Sequence, residues 1–159
     1  MRNMKKILFI CHGNICRSPM AEFILKDMLS KTPGYRPGEF LVESAATSRE
    51  ELGADMYPWA KKCLDIHGVP YTRRAARQMT KADYESFDFI IAMDDNNIRN
   101  TMRIIGSDPD GKVTKLLDWA GIDKSIADPW YTGEFDQTYY DIVIGCKALI
   151  AKFFDTEDK

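Results

Sequence analysis

A cysteine and an arginine six positions apart, Cys11 and Arg17, lie in the run Ile7–Glu22, ILFICHGNICRSPMAE. The run begins with apolar residues typical of a buried strand, breaks at a Gly-Asn pair and continues into a helix that opens near a Ser-Pro pair. In such a loop the free backbone N–H groups and the helix dipole favour an anion. The same field stabilises a thiolate, so the run predicts a phosphate-binding loop with its own nucleophile, Cys11.

The other residue types in this loop suit phosphoryl transfer. Arg17 carries a planar guanidinium that can hold two phosphate oxygens at once. Ser18 can donate its hydroxyl to the sulfur of Cys11, Gly13 would permit backbone torsions that other residues avoid, and Asn14 can hold the loop's shape. Each residue alone has a simpler interpretation as a strand end, a surface cation or a helix cap. Their combination between a strand and a helix favours a catalytic loop.

Four short apolar segments predict the sheet that positions this loop. They are Ile7–Ile10, Phe40–Val42, Phe87–Met93 and Lys112–Leu117, each separated from the next by enough residues for a helical crossover. Helical spacing is clearest from Tyr139 to Phe153. A length of 159 residues fits one domain, residues 1–159. Ligands of open parallel sheets bind beyond the carboxyl ends of the strands, where the loop after the first strand lies.

Composition excludes several classes of partner. A net charge of -2 leaves no basic field for nucleic acid, and no apolar stretch is long enough to cross a bilayer. The N-terminal apolar run is shorter than a signal-peptide core, so we expect a cytoplasmic protein. Its four cysteines are expected to be free thiols. There is no C-x-x-C pair and His12 is far from His67, so we expect no zinc site, no other metal and no cofactor.

The run Cys11–Glu22 closely resembles the signature of the low-molecular-weight protein tyrosine phosphatases. Further stretches resemble that family's landmarks, in the same order: Ser44–Thr47, Arg77–Thr80, Phe87–Asp94 and Asp128–Tyr131. The resemblance covers nearly the whole chain. It implies an α/β fold of three layers, in which a four-stranded parallel twisted sheet of order 2-1-3-4 has helices on both faces and the phosphate loop follows the first strand. It also implies cofactor-free hydrolysis of phosphotyrosine in proteins, peptides or small aryl phosphates through a phosphocysteine intermediate, and binding of inorganic phosphate or other oxyanions.

A thiolate nucleophile also needs a proton donor for the leaving phenolate. Asp128 is the candidate that the resemblance supports, first as general acid and then as the base that activates water. Pro129 would stiffen its loop, and Trp130 and Tyr131 offer aromatic walls for a phosphotyrosine ring. Asp94 follows a strand and could either face the site or cap the next helix.

The catalytic residues are therefore predicted to be Cys11, Arg17 and Asp128. The predicted substrate-binding residues are His12, Gly13, Asn14, Ile15, Cys16, Ser18, Glu50, Trp130 and Tyr131. Glu50 and the next residue, Glu51, could repel acidic phosphopeptides or be solvated loop charges. Ile15 favours phosphotyrosine, since the protein arginine phosphatases of this family have Thr at the matching position. By the same resemblance, Cys16 can form a reversible disulfide with Cys11 that protects the nucleophile from overoxidation.

Three rival classes remain. An arsenate reductase would share the fold and a similar loop, but it needs further redox cysteines, and none occurs between Cys63 and Cys146. The expectation is that these two cysteines lie in the core. A phosphocysteine carrier or a plain phosphate-binding module would not use Arg17 and Asp128 to promote hydrolysis. Catalytic release of phosphate separates the enzyme from both.

Overall fold

The computed structural model describes residues 4–155, which contain a four-stranded, wholly parallel sheet. The strands are β1 Lys5–Cys11, β2 Phe40–Ala46, β3 Phe89–Ala92 and β4 Val113–Lys115. They lie in the order β2-β1-β3-β4, so the predicted order is confirmed. Residues 1–3 and 156–159, at the two ends of the predicted domain, lie outside the described residues.

Six α-helices are found in the described part of the chain. They are α1 Arg17–Ser30, α2 Pro58–Ile66, α3 Lys81–Ser86, α4 Asp95–Ile105, α5 Pro129–Thr132 and α6 Phe135–Asp155, and a 3₁₀ helix spans Leu116–Ala120. Polar caps start α3 and α4, because the Asp83 carboxylate accepts the backbone N–H of the cap residue Thr80 and the carboxylate of the cap residue Asp94 accepts the backbone N–H of Asn97. None of these helices is both long and apolar enough to span a membrane.

The two faces of β1 enter two different apolar clusters, as the alternation of side chains along a strand requires. Ile7, Phe9 and Cys11 lie in the cluster that contains residues of α1, α2 and α6. Leu8 and Ile10 lie in the second cluster, with residues of α3, β3 and α4. Helices therefore cover both faces of the sheet, which confirms the predicted three layers.

The ends of the predicted elements differ from the observed ones at several points. The second strand was expected to end at Val42, but it continues to Ala46, which also pairs with Gln78. The fourth strand is shorter than expected because its apolar end, Leu116–Leu117, turns into the 3₁₀ helix. Apolar periodicity did not indicate α3 or α4, whose starts are encoded by polar caps.

Candidate active site

The loop between β1 and α1 leaves several of its backbone N–H groups without a hydrogen-bond acceptor among the described residues. Its carbonyl oxygens bond to segments outside the loop, and the N–H groups of Gly13, Ile15 and Cys16 donate to no atom of residues 4–155. The carbonyl bonds run from the N–H groups of Thr47, Ser48 and Tyr57 to the oxygens of Cys11, His12 and Ile15, at N···O distances of 3.0, 3.1 and 2.8 Å. Free donors at a helix N-terminus form an anion site, as the sequence predicts.

The sulfur of Cys11 is surrounded by hydrogen-bond donors. Ser18 Oγ lies 3.0 Å from Cys11 Sγ, and the backbone N–H groups of Asn14 and Ser18 donate to the same sulfur at 3.3 and 3.4 Å. Asn14 Nδ2 in turn donates to Ser18 Oγ at 2.8 Å, which leaves the hydroxyl hydrogen of Ser18 free to point at the sulfur. Three donors of this kind stabilise a thiolate.

Asn14 holds the loop in shape from a fully buried position. Its φ of 59° is in the left-handed region, which asparagine tolerates better than most residues. Nδ2 also donates to Ser44 Oγ at 3.0 Å, and Oδ1 accepts bonds from the Arg74 guanidinium and from the backbone N–H of Arg77. Asn14 therefore holds the loop's shape mainly through distant side chains rather than through neighbouring backbone, and its contact with substrate stays a prediction.

The torsional role predicted for Gly13 is wrong. Gly13 does not have a positive φ, and a Cβ added to it would make only ordinary van der Waals contacts with Glu51 and Ile15. The unusual backbone conformation of this loop belongs to Asn14 instead. Gly13 does line the pocket, as the sequence predicts.

Arg17 is almost fully buried at the start of α1 and is held by three groups. Nη1 donates to Asp94 Oδ2 at 2.6 Å and to the carbonyl of Ile126 at 2.9 Å, and Nη2 lies 3.5 Å from Asp128 Oδ2. Burial works to lower the pKa of Arg17, but the charges of Cys11, Asp94 and Asp128 raise it above its ordinary value. Arg17 Nε has no partner among the described residues, so a buried donor remains for a phosphate oxygen.

Asp128 caps α5 and also faces the phosphate loop. Its Oδ1 accepts a bond from the backbone N–H of Trp130 at 3.0 Å, which fixes the carboxylate on its loop. Its Oδ2 is the oxygen near Arg17. Asp128 can therefore cap α5 and contact the phosphate loop at the same time, because its two oxygens have different partners.

One pocket of about 150 Å³ joins the loop to Asp128. Its lining consists of Cys11, His12, Gly13, Ile15, Cys16, Arg17, Glu50, Glu51, Asp128, Trp130 and Tyr131. Asn14 and Ser18 lie behind this surface and support Cys11. Glu51, for which the sequence left the same two alternatives as for Glu50, also lines the pocket.

Aromatic and charged side chains form the mouth of the pocket. Tyr131 is 82% exposed and Trp130 is 51% exposed, and the Trp130 ring packs edge-on against Tyr57 with centroids 4.8 Å apart. His12 and Glu50 also line this pocket, and His12 Nε2 and Glu50 Oε2 are 2.6 Å apart on a solvent-exposed surface. The pocket therefore offers both aromatic rings and a carboxylate at its exposed part.

All four cysteines are free and buried. Burial raises the pKa of Cys16 well above its ordinary value, and the charges of Cys11 and Asp128 raise it further, so Cys16 stays protonated beside the nucleophile. Cys146 lies in the core, as expected. Cys63 is also buried, but it lies beside His67 and Asp136 in a group whose side-chain types bind metals. The interval of four residues between Cys63 and His67 on a helix is the sequence signal for that group.

A wholly parallel α/β sheet whose first strand leads into an anion-binding loop with a cysteine and an arginine puts the chain in the class of α/β proteins that bind phosphate at this point of the fold. Within that class, the family model for low molecular weight phosphotyrosine protein phosphatase matches residues 6–158. The chain belongs to this family, and it is a protein tyrosine phosphatase, a phosphoric monoester hydrolase.

Individual relatives agree with this assignment. The low molecular weight protein-tyrosine-phosphatase YfkJ of Bacillus subtilis is 36% identical over 93% of this chain and 95% of its own length. Its crystal structure has a TM-score of 0.90 at 33% identity and covers 97% of both chains. The human low molecular weight phosphotyrosine protein phosphatase is 35% identical over 93% of this chain and 95% of its own length. The Vibrio vulnificus protein Wzb, solved in complex with benzylphosphonate, has a TM-score of 0.80 at 26% identity over 94% of this chain and 99% of its own.

Proposed function

We propose that this protein hydrolyses phosphotyrosine and small aryl phosphates through a cysteinyl-phosphate intermediate. Cys11 is the nucleophile, Arg17 holds the phosphate, and Asp128 is the general acid and then the general base. The observation that carries this proposal is that Arg17 Nη2 lies 3.5 Å from Asp128 Oδ2 in the pocket whose lining includes Cys11. Nucleophile, clamp and proton donor therefore share one small cavity.

In the first step, the substrate phosphate occupies the loop and its oxygens accept bonds from the free N–H groups and from Arg17. The Cys11 thiolate attacks phosphorus, and the bond from phosphorus to the phenolic oxygen breaks. Asp128, entering as the carboxylic acid, gives its proton to the leaving oxygen. Its position at the edge of the loop suits this transfer, because Trp130 holds Oδ1 and Oδ2 is oriented toward Arg17.

In the second step, the Asp128 carboxylate takes a proton from water as that water attacks the phosphorus of phosphocysteine. The bond from sulfur to phosphorus breaks, inorganic phosphate leaves, and the Cys11 thiolate is restored. Ser18 stabilises the departing sulfur, since its Oγ lies 3.0 Å from Cys11 Sγ. Every group returns to its starting state, so the cycle needs no redox partner.

The walls of the pocket support an aromatic phosphate as substrate. Trp130 and Tyr131 can stack on a phenyl ring, and Ile15 adds apolar surface to the lining. The benzylphosphonate bound by Wzb joins an aromatic ring to a phosphonate group, as phosphotyrosine joins a ring to a phosphate. We also place the enzyme in a reducing compartment, the cytoplasm, because Cys11 must remain a free thiolate to react.

Trapping the intermediate tests the mechanism. Acid quenching during turnover of a phosphotyrosine peptide is expected to leave one phosphoryl group on Cys11, detected by mass spectrometry of the digested protein. Cys11→Ser should release no phosphate while still binding inorganic phosphate. Substantial turnover by that variant, or phosphate found on another residue, would exclude Cys11 as the nucleophile.

The role of Asp128 is tested with leaving groups of different basicity. For Asp128→Ala we expect kcat with phosphotyrosine to fall about a hundredfold or more, and to fall less with a nitrophenyl phosphate, whose leaving group needs no proton. Asp123→Ala is the matched control, since Asp123 is fully exposed and outside the pocket lining. An equal loss of kcat/KM with both substrates would remove proton donation from the role of Asp128, because kcat/KM reports the step in which the leaving group departs, whereas the later step, in which Asp128 acts as base, is common to both substrates.

A further inference from the structure

A second group of reactive side chains lies outside the active-site pocket. Cys63 belongs to α2, His67 is the C-cap of that helix, and Asp136 lies in the first turn of α6. Cys63 Sγ, a ring nitrogen of His67 and a carboxylate oxygen of Asp136 all lie within 4.8 Å of one another. We propose that these three residues, the 63–67–136 cluster, bind one divalent transition metal ion of the zinc type.

Two of the three distances between ligand atoms in the cluster match those of a tetrahedral site, and the third, from Cys63 Sγ to the His67 nitrogen, is within 4.8 Å. His67 Nε2 lies 3.3 Å from Asp136 Oδ1, and Cys63 Sγ lies 3.7 Å from the same oxygen. Zinc binds nitrogen and oxygen at about 2.0–2.2 Å and sulfur at about 2.3 Å, so neighbouring ligand atoms of a tetrahedral site are roughly 3.3–3.8 Å apart. An ion could therefore enter between these atoms with small side-chain shifts.

The ligands are also held in place before any ion binds. The His67 ring stacks on Tyr139 with centroids 3.7 Å apart and planes 6° apart, and Tyr140 packs against its edge. Cys63 is buried and its thiol donates to the carbonyl of Phe135 at 3.6 Å. Asp136 is exposed and gives the ion a route from solvent.

The donor set and the space beside it favour a zinc-type ion. One sulfur, one imidazole nitrogen and one carboxylate oxygen suit zinc or cobalt better than magnesium or calcium, which prefer oxygen alone. A cavity of about 210 Å³ adjoins the cluster and its lining includes Cys63, Asp136 and Glu134, so there is room for water to complete the coordination. Lys62 also lines this cavity, but its ammonium lies over the Trp59 ring.

Binding would replace hydrogen bonds by coordinate bonds. The Cys63 thiol gives its proton to solvent and the sulfur binds the ion as a thiolate, while His67 binds as neutral imidazole. The ion would then join the end of α2 to the start of α6. Because it binds these ligands only when the protein is folded, the melting temperature of the loaded protein should be higher.

Cobalt binding provides the direct test, because a cobalt–thiolate bond has a charge-transfer absorption in the near ultraviolet. Protein stripped with chelator and kept reduced with a phosphine is titrated with Co²⁺ in the Cys11→Ser background, which removes the active-site thiolate. We expect one equivalent of Co²⁺ to bind with this absorption, and Zn²⁺ to displace it. Absence of the charge-transfer absorption at saturating Co²⁺ would overturn the proposal.

Variants assign the ligands. Cys63→Ser should abolish the absorption, and His67→Gln and Asp136→Asn should each weaken binding tenfold or more. Cys146→Ala, which removes another buried thiol, should leave binding unchanged. Asp136 is exposed, so Asp136→Asn should fold normally, and unchanged affinity in this variant would refute the assignment. An absorption that survives Cys63→Ser but disappears in Cys16→Ser would place the ion in the phosphate loop and would also refute it.

Discussion

Asp94 Oδ2 lies 2.6 Å from Arg17 Nη1, across 77 positions of sequence, while Oδ1 of the same carboxylate caps α4 by accepting the N–H of Asn97 at 2.7 Å. One side chain therefore joins Arg17 to the start of α4, the helix that follows β3, the neighbour of β1 in the sheet. Arg17 has little freedom to rotate, since Ile126 O holds the same nitrogen. If Arg17 binds the phosphate as we propose, a guanidinium fixed in advance loses less entropy on binding.

Asp94→Asn is expected to lower kcat/KM for phosphotyrosine about tenfold or more with little change in stability. Asparagine still caps the helix but does not carry the charge that orients Arg17. Asp94→Ala removes both contacts and should cost about 1 kcal/mol of stability in addition. Steady-state kinetics and urea unfolding measure the two effects separately.

Asp95→Asn is the matched control for Asp94. Asp95 is the next residue and pairs with Lys115 at 3.1 Å on the exposed side of the same helix end. Loss of the Asp95 charge should leave kcat/KM unchanged. A similar fall of kcat/KM in Asp94→Asn and Asp95→Asn would show that activity depends on the start of α4 and not on the contact between Asp94 and Arg17.

Asn14→Gly should reduce both stability and turnover, although glycine adopts the required φ of 59° easily. The variant removes one hydrogen-bond partner each of Ser18, Ser44 and Arg74, which keep their contacts with Cys11, Glu22 and Ala54. Each lost hydrogen bond costs about 0.5–1.5 kcal/mol. Gly13→Ala is the contrasting change, because an added Cβ makes only ordinary contacts there. In thermal unfolding, the melting temperature of Asn14→Gly should be well below that of Gly13→Ala. The reverse order would show that the backbone torsions of the loop, and not the hydrogen bonds of Asn14, determine its stability.

The loop illustrates what could be predicted from sequence and what could not. Cys11 and Arg17 were identified because both lie in one continuous segment, where local spacing carries the information. The roles of Gly13 and Asn14 were not separated, since the rule that assigns special torsions to glycine ignores the contact of Asn14 with Arg74, 60 positions away. Asp94 was left with two alternatives, and the structure shows it in both contacts at once.

The same reasoning applies to the sheet. Strand order was implied by resemblance, and the apolar runs located each strand, but their ends depend on pairing. Ala46 is in a strand because Cys11 lies opposite it in register, which its own residue type does not indicate. The 63–67–136 cluster likewise needs α6 to approach α2, and no local pattern around Asp136 encodes that approach.

Cys16 should make oxidation of the enzyme reversible. Peroxide converts the Cys11 thiolate to a sulfenic acid, and the thiol of Cys16 can then displace water to form a disulfide, which a thiol reductant reopens. We expect peroxide-inactivated wild type to recover its activity with dithiothreitol, and Cys16→Ser to progress to the sulfinic acid and recover little. Cys63→Ser is the control for thiols outside the loop. Failure of the wild type to recover would eliminate the protective disulfide.

Asp55 should make stability depend on pH in the acid range. Burial works to raise the pKa of Asp55, but hydrogen bonds from Lys61 and from the N–H groups of Met56 and Arg74 outweigh it and lower the pKa to about 2. The folded pKa is below the unfolded value of about 3.9, so the stabilisation is present above pH 4 and is lost as the pH falls toward 2. It amounts to at most about 2 kcal/mol.

Urea unfolding at pH 7 and pH 3 tests this linkage. Asp55→Asn should be less stable than wild type at pH 7, and the difference should shrink at pH 3. Asp27→Asn breaks an i, i+4 pair with Lys31 on the surface of α1 and should cost about 0.3–0.5 kcal/mol at pH 7. A constant difference between wild type and Asp55→Asn at both pH values would contradict the assignment to Asp55.

Gly145→Ala should destabilise the protein although alanine favours a helix over glycine by about 1 kcal/mol. Gly145 lies within α6 against Leu116, and an added Cβ would overlap Leu116 Cγ and lie 2.7 Å from its Cδ1. Leu116 is fully buried at the start of the 3₁₀ helix, so the side chain cannot move into solvent. Overpacking of this kind costs about 1–3 kcal/mol, which exceeds the gain in helix propensity.

A double-mutant cycle with Leu116→Ala separates the cost of overpacking from the gain in helix propensity. If close packing is the cause, Gly145→Ala should be neutral or stabilising once Leu116 is shortened. An equal loss with and without Leu116 would mean that position 145 requires glycine for another reason.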